Sequence, residues 1–336
     1  MVNQRDQGGA LAVLLLALWL AAPGPAAAGD IGAQRVGTSS GTFLKIGIGA
    51  RPVAMGRAAN SLLGDPTSLF HNPAGLAYLE RPSFVVERVS WLAGVDLTAA
   101  GIAATIPWGG VAGLSALSLS SDMEETTELE PDGTGRNFSH RDLAFGLTYG
   151  RHLTDRFTFG VTGRYVYEAL GTEIGGPSTS TWLIDLGTTF DTGFHGVVLA
   201  MAISSFGPDL DPGGSYEDPR PGEGNEVEFA GFAPPTTFAL ASSYQAFVLP
   251  EASLFVSGEF VRPADNDETL RVGGELELYD TLALRGGYDG ASDALPWSGG
   301  IGVRFGGERL ATHIDYAFSS SEYFDRVDRV TLRFAF

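Results

Sequence analysis

From Pro82 to the C-terminal Phe336 the chain is built of about fourteen segments in which apolar and polar residues alternate with period two. In "LRVGGELELY" Leu270, Val272, Leu276 and Leu278 fall on one side, and Arg271, Glu275 and Glu277 on the other. In "IGVRF" Ile301, Val303 and Phe305 oppose Arg304; in "HIDYAF" Ile314, Tyr316 and Phe318 oppose His313, Asp315 and Ala317. The closing "RVTLRFAF" sets Val330, Leu332, Phe334 and Phe336 against Thr331, Arg333 and Ala335. Phe157, Phe159, Val161 and Tyr165 stand against Thr158, Thr162 and Arg164 in the same way. Successive side chains of a strand point to opposite faces, so each segment has one apolar and one polar face. The pattern is weakest over Asp96–Ile106, "DLTAAGIAATI".

A soluble sandwich alternates too, and the connectors separate the two cases. "PWGG", "RHLTD", "DTGFHG", "VLPEA", "YD" and "GGER" are short, and between them fall longer ones such as Ser121–Ser139 and Gly207–Ala233. Strict short–long parity places every long loop at one rim, the arrangement of an up-and-down outer-membrane barrel with short periplasmic turns. Greek-key connections would not produce it. The expected fold is all-β: a transmembrane antiparallel β-barrel of about fourteen strands over residues 82–336. Tyr167, Trp182, Tyr288 and Trp297 then lie toward the long-loop rim, and Trp108, Tyr149, Phe157, Tyr279 and Phe336 toward the short-turn rim, as two interfacial girdles.

Charge agrees with this orientation. The net charge is −19, and Ser121–Ser139 and Gly207–Ala233 alone contribute −5 and −6. Such acidity argues against a nucleic-acid partner, which requires a clustered basic surface. There is no cysteine, hence no disulfide framework and no thiolate metal site. The apolar run Ala10–Ala22, preceded by Arg5 and followed by Ala26 and Ala28, reads as a secretory signal peptide over residues 1–28. The implied location is the outer membrane of a Gram-negative-type cell, in contact with its lipid.

No enzyme chemistry is legible. "GIGARPVAMG" has Pro52 where a dinucleotide loop needs its third glycine, and "GTSSG" around Ser39 lacks the strand and helix of a nucleophile elbow. His71, His140, His152, His195 and His313 lack metal-ligand spacing. No cofactor is expected. The inward faces of the late strands do carry both signs of charge: Glu259, Arg271, Glu275, Glu277, Arg285, Arg304, His313, Asp315 and Arg333. They define a candidate luminal network that narrows the pore, because charges inside a low-dielectric wall are costly unless partnered. The plain alternative is a wetted barrel interior.

Residues 29–81 read as a linker followed by a hatch. Fourteen strands enclose a lumen wider than their own side chains fill. The Gly/Ala-rich stretch Phe43–Leu79 suits short helices packed against the wall, entering from the periplasmic rim and folding back inside. Asn72 is a candidate cap and Pro73 a first helical position.

The stretch "FLKIGIGARPVAMGRAANSLLGDPTSLFHNPAGLA" resembles the N-terminal signature of the PorV/PorQ family of outer-membrane proteins, grouped with the FadL-like fatty-acid transporters. The resemblance rests on Phe43, Lys45, Gly47, Gly49, Arg51, Met55 and Gly56, and on Asp65, Asn72, Pro73 and Gly75. Where that family shows an acidic pair before the hatch helix, here Asp65 is followed by Pro66. The resemblance implies a barrel that docks exported cargo or other components of type IX-like protein secretion. Its alternative implication is a FadL-like channel for hydrophobic small molecules.

Overall fold

The computed structural model describes residues 36–127, 129–217, 226–290, 292, 295–307, 309–320 and 326–336. The expected signal peptide lies outside the described residues.

Six strands follow the N-terminal segment: β1 (Ser83–Ser90), β2 (Asp96–Thr105), β3 (Val111–Glu124), β4 (Asn137–His152), β5 (Phe157–Leu170) and β6 (Ser178–Asp191). After β7 (Val198–Phe206), a small hairpin of β8 (Ser215–Glu217) and β9 (Glu226–Glu228) stands apart in the longest loop. The wall resumes with β10 (Thr237–Val248), β11 (Ala252–Pro263), β12 (Thr269–Leu278) and β13 (Leu282–Asp289). It ends with β14 (Trp297–Gly307), β15 (Leu310–Ser320) and β16 (Val327–Ala335). Leaving out β8 and β9, each strand pairs antiparallel with its neighbours in the chain, and β16 closes on β1 with Ser83 opposite Ala335 and Ser90 opposite Asp328. The result is the closed fourteen-stranded barrel that the connector parity requires. Closure satisfies the edge strands internally, a condition for any sheet that crosses lipid.

The outer face is an apolar belt. Leu114, Phe145 and Leu147 are 58%, 52% and 64% exposed there, although each sits mid-strand. Trp182 and Trp297 ring the long-loop end and Trp108 and Tyr279 the short-turn end, all strongly exposed. Large apolar side chains turned outward from a closed sheet, between aromatic girdles, form the surface a bilayer demands.

The lumen holds the N-terminal segment, made of short helical pieces: a 3-10 turn at Thr42–Lys45, an α-helix at Ala50–Ala54, and 3-10 turns at Pro66–Phe70 and Pro73–Tyr78. Asp65 and Asn72 cap the last two, accepting from the amides of Thr67 and Ala74, each with a proline next in the chain. Its route differs from the expected one. Ser39 bridges to Ala233 and hydrogen-bonds Asp265, and Ser40 and Gly41 donate to Glu168. These partners stand at the long-loop rim, so the segment runs down the lumen from that rim and emerges at the short-turn end to start β1.

A charge placed mid-belt tests the orientation of the wall. Phe145→Arg should lower the barrel's unfolding free energy in lipid by about 2–4 kcal/mol, whereas the girdle substitution Trp108→Arg should cost about 1 kcal/mol or less. Equilibrium urea unfolding into liposomes reads both.

Candidate functional site: a clamped hatch beneath an apolar chamber

The hatch is held by charge on one side of the lumen. Arg51 bridges Asp65 (3.0 Å) and Glu275 (2.6 Å). Glu275 also receives Arg285 (2.5 Å), Arg285 reaches Asp315 (2.6 Å), and Asp315 accepts from Arg333 (2.8 Å). Arg333 returns to Asp65 at 2.6 Å. Three guanidiniums and three carboxylates thus alternate in a closed ring, with Arg51 and Asp65 from the hatch and the other four from β12, β13, β15 and β16. Gly302 on the intervening β14 leaves room, since a β-carbon there would strike both Asp315 and Arg285. Burial alone would raise the Asp65 carboxyl, but Arg333, Arg51 and Thr67 hold it well below the usual carboxylate range.

A second cluster binds the next part of the hatch. Arg57 pairs with Asp289 (3.2 Å) and donates to the carbonyl of Lys45. Arg271 bridges Asp289 (3.0 Å) and Glu259 (3.2 Å), and Glu259 accepts the amide of Asn60. A third contact joins the amide of Gly49 to Glu87, and Arg329 to the carbonyl of Gly47.

Of the expected luminal residues, Glu259, Arg271, Glu275, Arg285, Asp315 and Arg333 are therefore drawn into contacts with the hatch or with one another. Glu277, Arg304 and His313 are not: they line a polar pocket of 210 Å³ toward the short-turn end. Arg304 is exposed, and none of the three makes an ion pair among the described residues. Of the motif residues, Arg51, Asp65 and Asn72 make side-chain contacts, and Lys45 pairs with Asp265 at 2.7 Å. Phe43 and Met55 are buried, and the backbones of Gly47, Gly49 and Gly56 bond the wall. Pro73 and Gly75 are buried in the last turn of the hatch.

The sequence reading missed the wall glycines that make room for the hatch. A β-carbon at Gly160 or Gly187 would collide with Pro73 or Asn72, and one at Gly273 or Gly287 with Met55 and Gly56. Alternation treats a strand glycine as a neutral position. Its inward phase opposite a plug is what marks it.

The lumen is not polar throughout, and this corrects the expectation of one polar face per strand. In its long-loop half the inward positions Val89, Leu97, Leu117, Leu119, Val166 and Leu183 are buried and apolar. The phase of β3 carried the signal: Leu114 is outward, so Leu117 and Leu119 must be inward, with Ser118 and Ser120 turned out. Leu117 and Leu119, with Phe43, Leu44 and Ile46 of the hatch and Trp91, Leu92 and Val95 of the first outer loop, form the apolar part of the wall of a 640 Å³ cavity, and Val89, Leu97, Val166 and Leu183 pack in the same apolar cluster. The floor of the cavity is the hatch itself, at Ile48, Arg57, Asn60 and His71. Among the described residues no group of three or more His, Asp or Glu is placed to hold a metal ion.

These features define a plugged transmembrane barrel with an apolar chamber on the long-loop side of its hatch. No protein-family model and no curated protein matches the chain. Solved outer-membrane structures do resemble it. The Ralstonia pickettii toluene transporter TbuX superposes with a TM-score of 0.56 at 15% identity, over 86% of this chain and 97% of that one. The Pseudomonas putida toluene transporter TodX gives 0.57 at 14% identity, over 86% and 97%. A Pseudomonas aeruginosa FadL homologue gives 0.52 at 12% identity, over 84% and 96%. At this identity the likeness is one of fold: a FadL-like outer-membrane barrel.

Breaking the ring tests its role. Asp65→Ala leaves Arg51 and Arg333 without their shared partner, which should cost about 3–5 kcal/mol of hatch seating. Single-channel conductance in planar bilayers should rise in Asp65→Ala and in Gly287→Val, and stay at the wild-type level in Arg304→Ala. The pH dependence follows from the depressed Asp65 carboxyl. Its contribution is complete above the unfolded value near about pH 4 and is lost only as pH falls through the lower folded value. Wild-type conductance should therefore stay low at about pH 4, with opening confined to stronger acid.

Proposed function

We propose that this protein is a channel for small hydrophobic molecules across the outer membrane, with the chamber above the hatch as its capture site. The observation that carries this reading is the apolar half of the lumen. A water-filled pore lines its wall with polar side chains, whereas here Leu117, Leu119 and Val261 of the strands join Phe43, Leu44 and Trp91 around a space of 640 Å³ whose charged side chains are paired. That volume falls within the range of pockets that enclose small ligands. A hatch clamped by ion pairs blocks passive flow of water and ions and leaves movement of the hatch as the step that admits a ligand. The solved barrels of like fold include the toluene transporters TbuX and TodX, which supports the same reading.

Docking of exported cargo in type IX-like secretion rests on the resemblance of Phe43–Ala77 to the PorV/PorQ signature. A docking surface on the acidic outer loops has no use for an apolar chamber inside the wall, and for that reason the channel is the better reading.

Filling the chamber tests it. In lipid nanodiscs the wild-type protein should bind a small hydrocarbon such as toluene. Overpacking the wall with Leu117→Trp should weaken that binding about ten- to hundredfold. Absence of hydrocarbon binding in the wild type, together with recovery of an exported protein on the intact barrel, would replace the channel by the docking reading.

A further inference from the structure

We infer that the chamber selects a neutral hydrophobic molecule carrying a hydroxyl group, such as a phenol or an alcohol, over both a bare hydrocarbon and a carboxylate. The inference rests on the channel reading and names its substrate class.

The first ground is the charge balance of the wall. Four cationic side chains line the chamber: Lys45, Arg57, Arg164 and Arg271. Each is already engaged by a carboxylate. Lys45 pairs with Asp265 at 2.7 Å and Arg57 with Asp289 at 3.2 Å. Arg164 pairs with Asp185 at 2.6 Å and Arg271 with Glu259 at 3.2 Å. A carboxylate ligand would leave water for an apolar chamber in which the positive charges are neutralised, and would have to break an existing pair to gain a partner of its own.

The second ground is a set of polar atoms without partners. Asp142 is 3% exposed; one of its carboxylate oxygens accepts from His140 at 2.8 Å, and the other, Oδ1, has no hydrogen-bond partner. Asn60 Oδ1 in the floor and Arg164 Nε in the wall are also without partners. The other carboxylates of the wall are satisfied. Asp185 accepts from Arg164 and from the amide of Ser205, and Glu259 from Arg271 and the amide of Asn60. Asp142 is thus the wall carboxylate with a free oxygen. The torsion that turns its carboxyl toward the chamber is a broad one.

A buried acceptor left unpaired is a standing cost that a ligand donor removes. A hydrocarbon has no such donor, and a carboxylate offers only acceptors next to an existing negative charge. A hydroxyl donates one hydrogen bond and accepts others. It therefore suits Asp142 Oδ1 through its proton, while the ring or chain attached to it fills the space between Phe43, Phe70, Trp91, Leu117 and Leu119.

The test is calorimetric titration of the protein in lipid nanodiscs with toluene, p-cresol and p-toluate, which share a ring and a methyl group. A hydrogen bond to a charged acceptor should make p-cresol bind about tenfold tighter than toluene. The p-toluate anion should bind more weakly than either. Asp142→Leu should bring the p-cresol-to-toluene ratio to about one, and Asp142→Asn, which keeps an acceptor, should retain part of the preference. Heat-modified gel migration confirms the folded barrel in each variant. Toluene and p-cresol binding alike to the wild type, p-toluate binding tightest, or a preference unaltered in Asp142→Leu would each overturn the inference and leave the channel reading intact. Binding of none of the three would overturn the channel reading and this inference together.

Discussion

The structure depends on a closed ring of alternating charge inside a low-dielectric wall. Asp65 and Arg51 from the hatch alternate with Glu275, Arg285, Asp315 and Arg333 from the barrel, all within 3.0 Å of their partners. Three acids and three arginines cancel in total charge, so the cluster as a whole can be buried. No member can leave alone without stranding an opposite charge. That asymmetry makes the ring a fastener rather than simply a stabilising contact. It ties a short, glycine-rich segment with little helical stability of its own to four strands at once.

The geometry of the wall follows from this fastener. A plug of short helices reaches the barrel backbone only where the strands carry no side chain. Such gaps occur at Gly160 and Gly187 on one side and at Gly273 and Gly287 on the other. At these contacts the helix Ala50–Ala54 packs against β13–β16 and the 3-10 turn Pro73–Tyr78 against β4–β6. The hatch then fills the middle of the lumen and leaves two spaces of opposite character. Toward the short turns the remaining pocket is small and charged, with Arg304, His313 and Glu277. Toward the long loops it is larger, with leucine, valine and phenylalanine set among charged side chains that are paired with one another. The chamber therefore lies on one side of the hatch, and a polar mouth on the other.

Much of this was legible along the chain. Period-two alternation and the parity of short and long connectors are one-dimensional facts, and together they specify a closed antiparallel barrel, its orientation and its lipid-facing belt. Backbone hydrogen bonds in lipid must close on themselves, so little other architecture is open to such a sequence. The hatch segment was visible from its composition, and the cap at Asn72 is local chemistry that needs no partner from elsewhere in the fold.

What lay beyond the one-dimensional pattern depends on which inward residues meet across the lumen. Arg333 and Arg304 alternate identically in the sequence, yet one completes the ring with Asp65 and the other faces the polar mouth, because their neighbours across the barrel differ. The direction in which the hatch threads the lumen was set by Glu168 and Asp265, which accept from Ser39, Ser40 and Gly41 across 127 to 226 residues of chain. The apolar chamber arose in the same way, from inward leucines of separate strands closing around the hatch. Local pattern determines the face a side chain presents, through the geometry of a single strand. Its partner is determined by strand register and barrel closure, which bring together residues that no short stretch of sequence contains.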